Sequence, residues 1–302
     1  MICSICIATY KRPGLLRKLL ESIKEQVLPE DVRLQVIVVD NDAQGSAEEI
    51  VRECGSDYRL SFSYWIQPLK NISLTRNVSV QKALGSYILF IDDDEVASPG
   101  WVSSHLKAVV EYDADGIFGP VVPEFCQDTP EWLKRCYLFS NSHTATPTGS
   151  KAEARWSGNC LLKASILRDE IGPFDPRYGL TGGEDTHLFD RLEHKGAKFV
   201  YCQGAWVSEY VPAGRTRPSH LLKVAFRGGN AHARRVIEFS GRKAPLLRLF
   251  MLAKGLAFGL ISVLFAILTL PSRTLQMYWK MKLASNLGRL FSVLGWHYRA
   301  YK

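Results

Sequence analysis

Short apolar runs alternate with helix-like segments through the first two-thirds of the chain, and this alternation limits the fold more than any other feature. Ile2–Ala8, Leu34–Asp42 and Ser86–Glu95 each contain a continuous apolar run, as is typical of strands buried on both faces. Leu15–Ile23 places leucine and isoleucine at helical spacing, and Ser73–Leu84 also has a helical pattern. Strands that alternate with helices form mostly parallel sheets with right-handed crossovers. The sequence therefore predicts an α/β fold around a mostly parallel central sheet.

Polar residues follow these apolar runs directly. Thr9 follows the first run, Asp40 ends the second, and Asp92–Asp94 end the third. In open α/β sheets, ligands bind outside the carboxyl ends of the strands. We therefore expect these residues to lie at one edge of the sheet and to form the functional site.

Three consecutive aspartates, Asp92–Asp94, concentrate negative charge at one strand end. Such crowding is unfavourable unless a cation neutralises it. Asp92 and Asp94 project to the same side of an extended chain, and two hard oxygen ligands suit Mg²⁺ or Mn²⁺ with a diphosphate completing the coordination shell. The alternative is a solvated acidic turn, which the preceding apolar strand and the other acids at this edge disfavour.

Three other segments carry candidate side chains, each with a structural alternative. Asp40 and Asn41 could accept hydrogen bonds from a ribose or a base edge, or could form a turn. Arg76 lies in the first turn of a helix, where it could help to hold a phosphate or could be a solvated surface side chain. Glu184 and Asp185 follow two glycines at a helix start, where a carboxylate is either a general base or a capping residue.

In their order along the chain, these segments resemble the family 2 glycosyltransferases of the nucleotide-diphosphosugar transferase type. The resemblance covers roughly residues 1–214 and rests on five motifs together, because none is specific alone. These motifs are SICIATYKRP, VVDND, LTRNVSVQKALGSYILFIDDDE with its EVASPGW continuation, WSGNCLLK with GPFD, and GGEDTHLFDRL. The fold that the resemblance implies is the one-domain α/β sandwich called GT-A.

The resemblance also implies roles for individual residues. The residues that would bind the nucleotide are Thr9, Tyr10, Asp40, Asn41, Arg76, Asp92 and Asp93. The ligands of a divalent metal, Mg²⁺ or Mn²⁺, would be Asp92 and Asp94. The residues that would border the donor sugar and the acceptor are Trp156, Gly158, Asn159, Gly183 and Glu184. The catalytic base would be Asp185.

The chain departs from the family's patterns in two places. The QxxRW motif of the processive synthases is absent, so repeated addition without release is not expected. Some members supply a metal-binding histidine after the ED helix, whereas this chain has Trp206-Val-Ser-Glu209 near that place. Whether Glu209 replaces the histidine is open at this point.

The implied reaction is inverting, metal-dependent transfer of a sugar from a nucleotide-diphosphosugar to a hydroxyl of a glycan or a polyprenyl-linked acceptor. The favoured donor is a UDP-sugar, and the process would be surface polysaccharide biosynthesis. The acceptor oxygen attacks the anomeric carbon opposite the diphosphate, and one base removes its proton. Two alternatives remain: a nucleotidyltransferase or hydrolase with the same metal-diphosphate site, and a nonenzymatic module that binds nucleic acid or membrane.

Charge divides the chain into two parts. The formal net charge is +8, but residues 215–302 contain 16 Lys or Arg and one acid, Glu238, so this tail carries +15 and the remainder −7. A basic tail on an acidic body suggests a soluble domain held against an anionic surface. We therefore predict a catalytic domain over residues 1–214, in which a nucleotide-binding half reaches about residue 122 and an acceptor-side half follows. Residues 215–302 would form a membrane-associating helical tail.

The tail favours a membrane over nucleic acid, because Leu249–Leu270 has one charge, Lys254, and few aromatic residues interleave with its cations. This segment is long enough to cross a bilayer, but one crossing would place the last basic segment outside, against the positive-inside tendency. We therefore expect a monotopic or peripheral arrangement, with Leu249–Leu270 dipping in and amphipathic Trp279–Leu294 on the surface. The alternative is a helix pair that packs on the body or forms a dimer. Because the chain opens on a strand-like run, the predicted location is the cytoplasmic face of the inner membrane.

Overall fold

The computed structural model describes residues 1–56, 58–136, 139, 146–153, 155–168 and 172–299. The chain divides into two compact units. Unit 1 comprises Met1–Glu124, Asn141–Gly179 and Glu184–Tyr210, and unit 2 comprises Phe125–Ser140, Leu180–Gly183 and Val211–Lys302. The last junction lies close to residue 214, where we placed the domain boundary, and two internal segments also belong to unit 2.

The described residues form two β-sheets. Their strands are β1 (Ile2–Thr9), β2 (Arg33–Asp40), β3 (Leu60–Ile66), β4 (Tyr87–Ile91), β5 (Glu95–Ala97), β6 (Gly116–Phe118), β7 (Val121–Phe125), β8 (Asn159–Lys163), β9 (Phe199–Tyr201) and β10 (Val207–Val211). The larger sheet has the order β3-β2-β1-β4-β8-β6-β9, and the smaller has the order β5-β10-β7. In the larger sheet only β8 runs antiparallel to its neighbours, which confirms a mostly parallel sheet.

Helices pack on both faces of the larger sheet. The helices before residue 200 are α1 (Pro13–Lys24), α2 (Glu48–Glu53), α3 (Ile72–Lys82), α4 (Trp101–Glu111), α5 (Glu131–Lys134), α6 (Ala164–Arg168) and α7 (Glu184–His194). Ile5 and Ile7 on β1 belong to a core with α1, α2 and α4, whereas Cys6 belongs to a core with α3, α6 and α7. Successive side chains of a strand alternate between faces, so burial on both faces explains the continuous apolar runs.

The strand register determines which residues meet at the edge of the sheet. Thr9 on β1 pairs with Asp40 on β2, and β1 also pairs in parallel with β4, so the three strands end at one edge. β8 runs antiparallel to β4, with Ile91 opposite Asn159. This direction brings the segment before β8 beside the aspartates that follow β4.

Three long helices make up most of unit 2. They are α8 (Pro218–Phe239), α9 (Ala244–Leu268) and α10 (Arg273–Val293), and α10 packs on both of the others. Among the residues that the structure describes, α9 is the helix long and apolar enough to cross a membrane, and 11% of its most apolar stretch is buried. Helix α10 buries Met277 and Met281 and leaves Leu287, Phe291 and Leu294 exposed.

Candidate active site

The three aspartates lie in the turn between β4 and β5, which folds around the side chain of Glu95. The backbone amide of Asp92 donates a hydrogen bond to Oε2 of Glu95 at 2.9 Å, and the amide of Glu95 donates to the carbonyl of Asp92 at 3.1 Å. Glu95 is buried. Burial raises the pKa of its carboxyl well above the usual range, and the charges of Asp92 and Glu209 add to this rise. The acidic turn therefore contains four carboxyl groups, not three.

Thr9 and Arg12 hold the second and third aspartates of this turn. Thr9 Oγ1 donates to Oδ2 of Asp93 at 2.8 Å. Arg12 Nη1 donates to Oδ1 of Asp93 at 3.0 Å and to Oδ2 of Asp94 at 3.1 Å. Burial raises the pKa of Asp93 to about 6, although Arg12 and Thr9 favour its charged form. Asp93, which we placed at the nucleotide, is bound within the protein in this arrangement.

Arg76 connects the acidic turn with the start of α7. Its Nη2 donates to Oδ1 of Asp92 at 3.1 Å, and its Nη1 donates to Oε1 of Glu184 in a short contact. Arg76 and Glu184 are both buried, whereas the Asp92 side chain is 45% exposed. Burial raises the pKa of Glu184 to about 7, and the positive charge of Arg76 opposes this rise. Arg76 is therefore not a solvated surface residue: it joins two carboxylates from different segments.

Asp185 lies beside Glu184 in the first turn of α7. Its Oδ1 accepts hydrogen bonds from the amide of Thr186 at 2.6 Å and from the Thr186 hydroxyl at 3.2 Å. Its Oδ2 accepts from the amide of Ser157 at 3.4 Å. Asp185 is partly exposed, whereas Glu184 is buried. The carboxylate is thus oriented by backbone amides and stays accessible, as a proton acceptor must be.

The segment before β8 passes close to the acidic turn. A Cβ atom on Gly158 would lie 2.7 Å from Oε1 of Glu95 and 3.2 Å from Oδ2 of Asp92. Glycine is therefore required for this close approach of backbone to carboxylate. Trp156 is half-buried in the same segment, and Gly183 precedes α7 with a left-handed φ of 87°.

The carboxylate of Asp40, which we placed at the nucleotide, is bound within the protein. Asp40 is completely buried. Its carboxylate accepts hydrogen bonds from the amides of Asp42 and Ala47, both at 2.9 Å, and from the hydroxyl of Tyr64 at 3.0 Å. These bonds shape the turn that leads from β2 towards α2.

Asn41 also binds protein groups rather than pointing outward. Its Nδ2 donates to the carbonyls of Gln67 at 2.7 Å and Leu69 at 2.6 Å, and its Oδ1 accepts from the amide of Asn71 at 2.9 Å. Asn71 in turn caps α3, since its Oδ1 accepts from the amide of Leu74 at 3.1 Å. Asn41 thereby positions the helix that carries Arg76.

Asn159, which we placed beside the donor sugar and the acceptor, makes four hydrogen bonds in the core through its carboxamide. Nδ2 donates to the carbonyls of Pro120 and Ala205, and Oδ1 accepts from Trp101 Nε1 at 2.8 Å and contacts His105 Nε2 at 3.0 Å. An amide side chain has two N–H donors and one oxygen with two lone pairs, so no capacity is left for a sugar. The residue is completely buried. The sequence could not show this, because the four partners come from distant parts of the chain.

Tyr10 lies at the open side of the same edge and is exposed. Its ring is 4.7 Å from Nζ of Lys70 and 5.3 Å from Nζ of Lys11, measured to the ring centroid. Lys11 has a left-handed backbone, with φ of 55°, which turns the chain sharply after β1. An accessible aromatic ring flanked by two cations suits a nucleotide, which presents a flat base and negative phosphates.

Two charged residues of the site, Arg12 and Glu95, were missed in the sequence. Arg12 follows the end of β1 by three residues, and Glu95 follows the end of β4 by four. Both residues therefore lie within four positions of a strand end, so the pattern that indicates Thr9 and Asp92 also indicates Arg12 and Glu95 once the next few residues are included.

Glu209 lies on β10 directly opposite Glu95 on β5. The amide of the next residue, Tyr210, donates to the carbonyl of Asp94 at 3.2 Å. A fifth carboxylate therefore adjoins the acidic turn. This is the position at which the sequence left open a replacement for a metal-binding histidine.

The sequence model described as Glycosyl transferase family 2 matches residues 4–171, more than half of the chain. The chain is a family 2 glycosyltransferase. The succinoglycan biosynthesis protein ExoM of Rhizobium meliloti (strain 1021) is 30% identical to it over 295 residues, covering 96% of this chain and 92% of ExoM. The predicted family and enzyme class are thereby confirmed.

Solved structures confirm the GT-A fold. The mannosyltransferase PcManGT from Pyrobaculum calidifontis, solved with GDP-Man and Mn²⁺, superposes with a TM-score of 0.64 at 18% identity, covering 96% of this chain and 87% of PcManGT. Residues 1–349 of S. aureus TarS, solved with UDP, give a TM-score of 0.56 at 17% identity, covering 99% and 93% of the two chains. At these identities the likeness concerns the fold alone.

Proposed function

We propose that this glycosyltransferase moves one sugar, with inversion, from a nucleotide-diphosphosugar to a hydroxyl of a glycan or polyprenyl-linked acceptor in polysaccharide biosynthesis. The observation that carries the proposal is that two clusters of acidic residues lie together at one edge of the sheet. Asp92–Asp94 follow β4, Asp185 begins α7, and Arg76 ties the two segments together through Asp92 and Glu184. In inverting sugar transfer, a cation stabilises the leaving diphosphate and a separate base removes the proton of the acceptor hydroxyl.

The donor atoms at the acidic turn fit a divalent cation. Asp92 and Asp94 supply carboxylate oxygens, the ligands that Mg²⁺ and Mn²⁺ prefer, and the Asp92 side chain is half-exposed. Arg12 is paired with Oδ2 of Asp94 at 3.1 Å, and a cation would share or replace this contact. The raised pKa values of Asp93 and Glu95 have burial as their first cause and neighbouring carboxylates as a second, so a cation here would relieve repulsion. Bound to Asp92 and Asp94, the cation would neutralise negative charge on the departing diphosphate.

Asp185 is our candidate for the base, in preference to Glu184. Glu184 is buried and ion-paired with Arg76, so removing a proton from an acceptor would require breaking that contact. Asp185 is partly exposed, and the amides of Ser157 and Thr186 orient its two oxygens. The acceptor proton would pass to Asp185 as the acceptor oxygen attacks the anomeric carbon.

The nucleotide would bind beside the turn after β1. Tyr10 offers an exposed ring, and Lys11 and Lys70 place positive charge next to it. Asp40 and Asn41 would act through the backbone turn that they shape, because their side chains are occupied within the protein. We favour a UDP-sugar as the donor.

The relatives support this proposal. ExoM is named for succinoglycan biosynthesis, and another relative is the Escherichia coli chondroitin synthase, 23% identical over 242 residues, which cover 70% of this chain and 35% of the synthase. TarS was solved with UDP-GlcNAc and PcManGT with GDP-Man and Mn²⁺. Structural neighbours of this fold therefore bind nucleotide sugars that contain uracil or guanine.

We also propose that the enzyme works at the cytoplasmic face of the inner membrane, held there by unit 2 in a monotopic or peripheral way. A membrane location fits a polyprenyl-linked acceptor, whose lipid part stays in the bilayer while its sugar reaches the enzyme. The apolar helix α9 supports this location.

A donor panel tests the proposed reaction. Purified full-length chain in detergent is mixed with UDP-, GDP- and dTDP-sugars, Mn²⁺ and a polyprenyl-linked oligosaccharide extract, and the nucleoside diphosphate released is measured with and without EDTA. We expect release from one donor class, dependent on both acceptor and metal, together with an elongated glycolipid. Release of sugar 1-phosphate, with the nucleoside monophosphate transferred to an acceptor, would indicate a nucleotidyltransferase. Release of nucleotide that is unchanged by any acceptor would indicate a hydrolase.

A further inference from the structure

We propose that unit 2 binds an anionic membrane surface with α9 lying in the plane of one leaflet, so that α9 does not cross the bilayer. The packing of the helices within unit 2 determines which ways of attachment to a membrane are open to the chain. The sequence left three possibilities open: a segment dipping into the membrane, a crossing helix, and a helix pair buried on the body or in a dimer. The contacts of α10 distinguish between them.

Helix α9 exposes apolar side chains around most of its circumference. It has 25 residues, which corresponds to about 37 Å of helix. Gly255 and Ser262 are its buried residues. The exposed apolar residues include Leu249, Phe250, Leu256, Leu260, Leu264, Ile267 and Leu268. A helix that is apolar all round requires an apolar environment, and a patch of this size marks an interaction surface.

Helix α10 lies antiparallel along α9. A Cβ on Gly255 would lie 2.7 Å from Cδ2 of Leu290, and the rings of Phe265 and Trp279 are stacked with centroids 4.6 Å apart. Residue numbers therefore rise along α9 as they fall along α10. Because the two helices lie side by side, α9 could not insert into the bilayer along its axis without taking α10 to the same depth.

Helix α10 is in turn bound to α8 by backbone contacts. A Cβ on Gly229 would lie 2.0 Å from the carbonyl oxygen of Ser285, and one on Gly288 would lie 2.0 Å from that of Phe226. Asn230 Nδ2 donates to the carbonyl of Gly288 at 3.0 Å. Two glycines at the crossing thus let the helices approach so closely that α8 and α10 form one rigid pair.

If α9 crossed the membrane, charged residues of α10 and α8 would enter the hydrocarbon core of the bilayer. Lys280 and Lys282 lie near the middle of α10, with Arg289 two turns further on, and α8 adds Arg234 and Arg235. Cations near the middle of a crossing helix strongly oppose insertion. An in-plane α9 avoids this, because its outer face enters the leaflet while α10 and α8 stay at or above the headgroups.

The charge of unit 2 selects an anionic lipid surface as the partner. After Glu238 the sequence contains ten Lys or Arg and no Asp or Glu. Arg242, Lys243 and Arg248 near the start of α9, and Arg273 after its end, are exposed. Cations at both ends of an in-plane helix can reach headgroup phosphates. A second copy on the same face would bring like charges together, so a dimer fits less well.

Cysteine labelling in bacterial cells that express the full chain tests the topology. Leu270→Cys, in the turn between α9 and α10, and a cysteine added after Lys302 are each treated with a membrane-impermeant maleimide. We expect neither to react in intact spheroplasts and both to react after detergent lysis, beyond the background of the unchanged chain. Reaction at Leu270→Cys alone would show a hairpin that crosses twice, and reaction at the C-terminal cysteine would show one crossing. Either result overturns the proposal.

Vesicle binding tests the surface itself. Full-length chain is floated with vesicles of phosphatidylglycerol and phosphatidylcholine at a ratio of one to three. Leu260→Asp, on the exposed face of α9, should weaken binding about tenfold or more, whereas Leu84→Asp, equally exposed but in unit 1, should leave it unchanged. Equal binding by both variants, or an effect of Leu260→Asp on dimerisation instead, would overturn the proposal. Nucleotide-sugar binding by the same variants separates this outcome from a failure of the proposed enzyme activity.

Discussion

Replacing Arg76 by glutamine should destabilise the protein more than the loss of any surface ion pair. Arg76 bonds Glu184 and Asp92, and both Arg76 and Glu184 are buried. The variant keeps a polar side chain of similar length but removes the positive charge. Glu184, whose pKa burial already raises to about 7, would then be a buried carboxyl without a cation.

The magnitude follows from this burial. Breaking a buried ion pair by removing one partner costs about 3–5 kcal/mol, because the other charge stays desolvated. In a protein of this size each kcal/mol lowers the melting temperature by about 2–4 °C, so Arg76→Gln should lower it by roughly 6–20 °C. The destabilisation should be largest at pH 8, because at lower pH Glu184 can take up a proton and lose its buried negative charge.

Thermal unfolding in mild detergent at pH 8 is the assay, with two comparison variants. Arg17→Gln breaks an exposed pair with Glu53, which solvent screens, so it should leave the melting temperature almost unchanged. Arg76→Gln combined with Glu184→Gln should recover part of the loss, because no charge remains buried at that contact. The reasoning is refuted if Arg76→Gln melts like Arg17→Gln, or if the double variant is no more stable than Arg76→Gln alone.

Three further outcomes follow from the same contacts. Gly158→Ala should lower activity at least tenfold, because its Cβ would press on Glu95 and Asp92, while Gly14→Ala, with open space around it, should be silent in the same assay. His105 is buried and its pKa is lowered to about 4. Below pH 6.5 the unfolded chain therefore binds a proton at His105 that the folded protein does not bind. The contribution of His105 to stability should therefore be complete above pH 6.5 and fall by roughly 3 kcal/mol as the pH drops towards 4, and the difference in urea-unfolding free energy between the unchanged chain and His105→Gln should change by that amount over this window. Asp94→Ala should weaken Mn²⁺ binding, measured by electron paramagnetic resonance, at least tenfold, and unchanged binding would remove Asp94 from the metal site.

The fold was predictable because the buried strands of a parallel sheet appear in the sequence as continuous apolar runs. Strand β2 is buried and apolar from Val36 to Val39, directly before Asp40, and β4 is buried and apolar from Ile88 to Ile91, directly before Asp92. The edge at which the site lies followed from the direction of these strands. The sequence did not reveal that β8 runs antiparallel, since strand direction depends on pairing partners and not on residue pattern.

Side-chain direction at the site was the part that sequence could not supply. Asp40 and Asn159 stand at strand ends, as binding residues do, yet both turn inward to hydrogen-bond partners far along the chain. Arg76 was weighed as a phosphate ligand or a solvated residue, and its contact with Glu184 spans 108 positions of sequence. Such contacts depend on tertiary packing, which local pattern does not encode.

The division of labour between Asp94 and Asp185 is the central claim, and one paired measurement tests it most directly. Donor binding, by calorimetry with Mn²⁺, and turnover are measured for Asp94→Ala and Asp185→Asn alongside the unchanged chain. Asp185→Asn should bind the nucleotide sugar normally and turn over about two to four orders of magnitude more slowly, because it keeps the shape of the base but cannot accept a proton. Asp94→Ala should lose the metal-dependent part of donor binding as well as turnover. Normal turnover by Asp185→Asn, or metal-dependent donor binding by Asp94→Ala equal to that of the unchanged chain, would contradict the account.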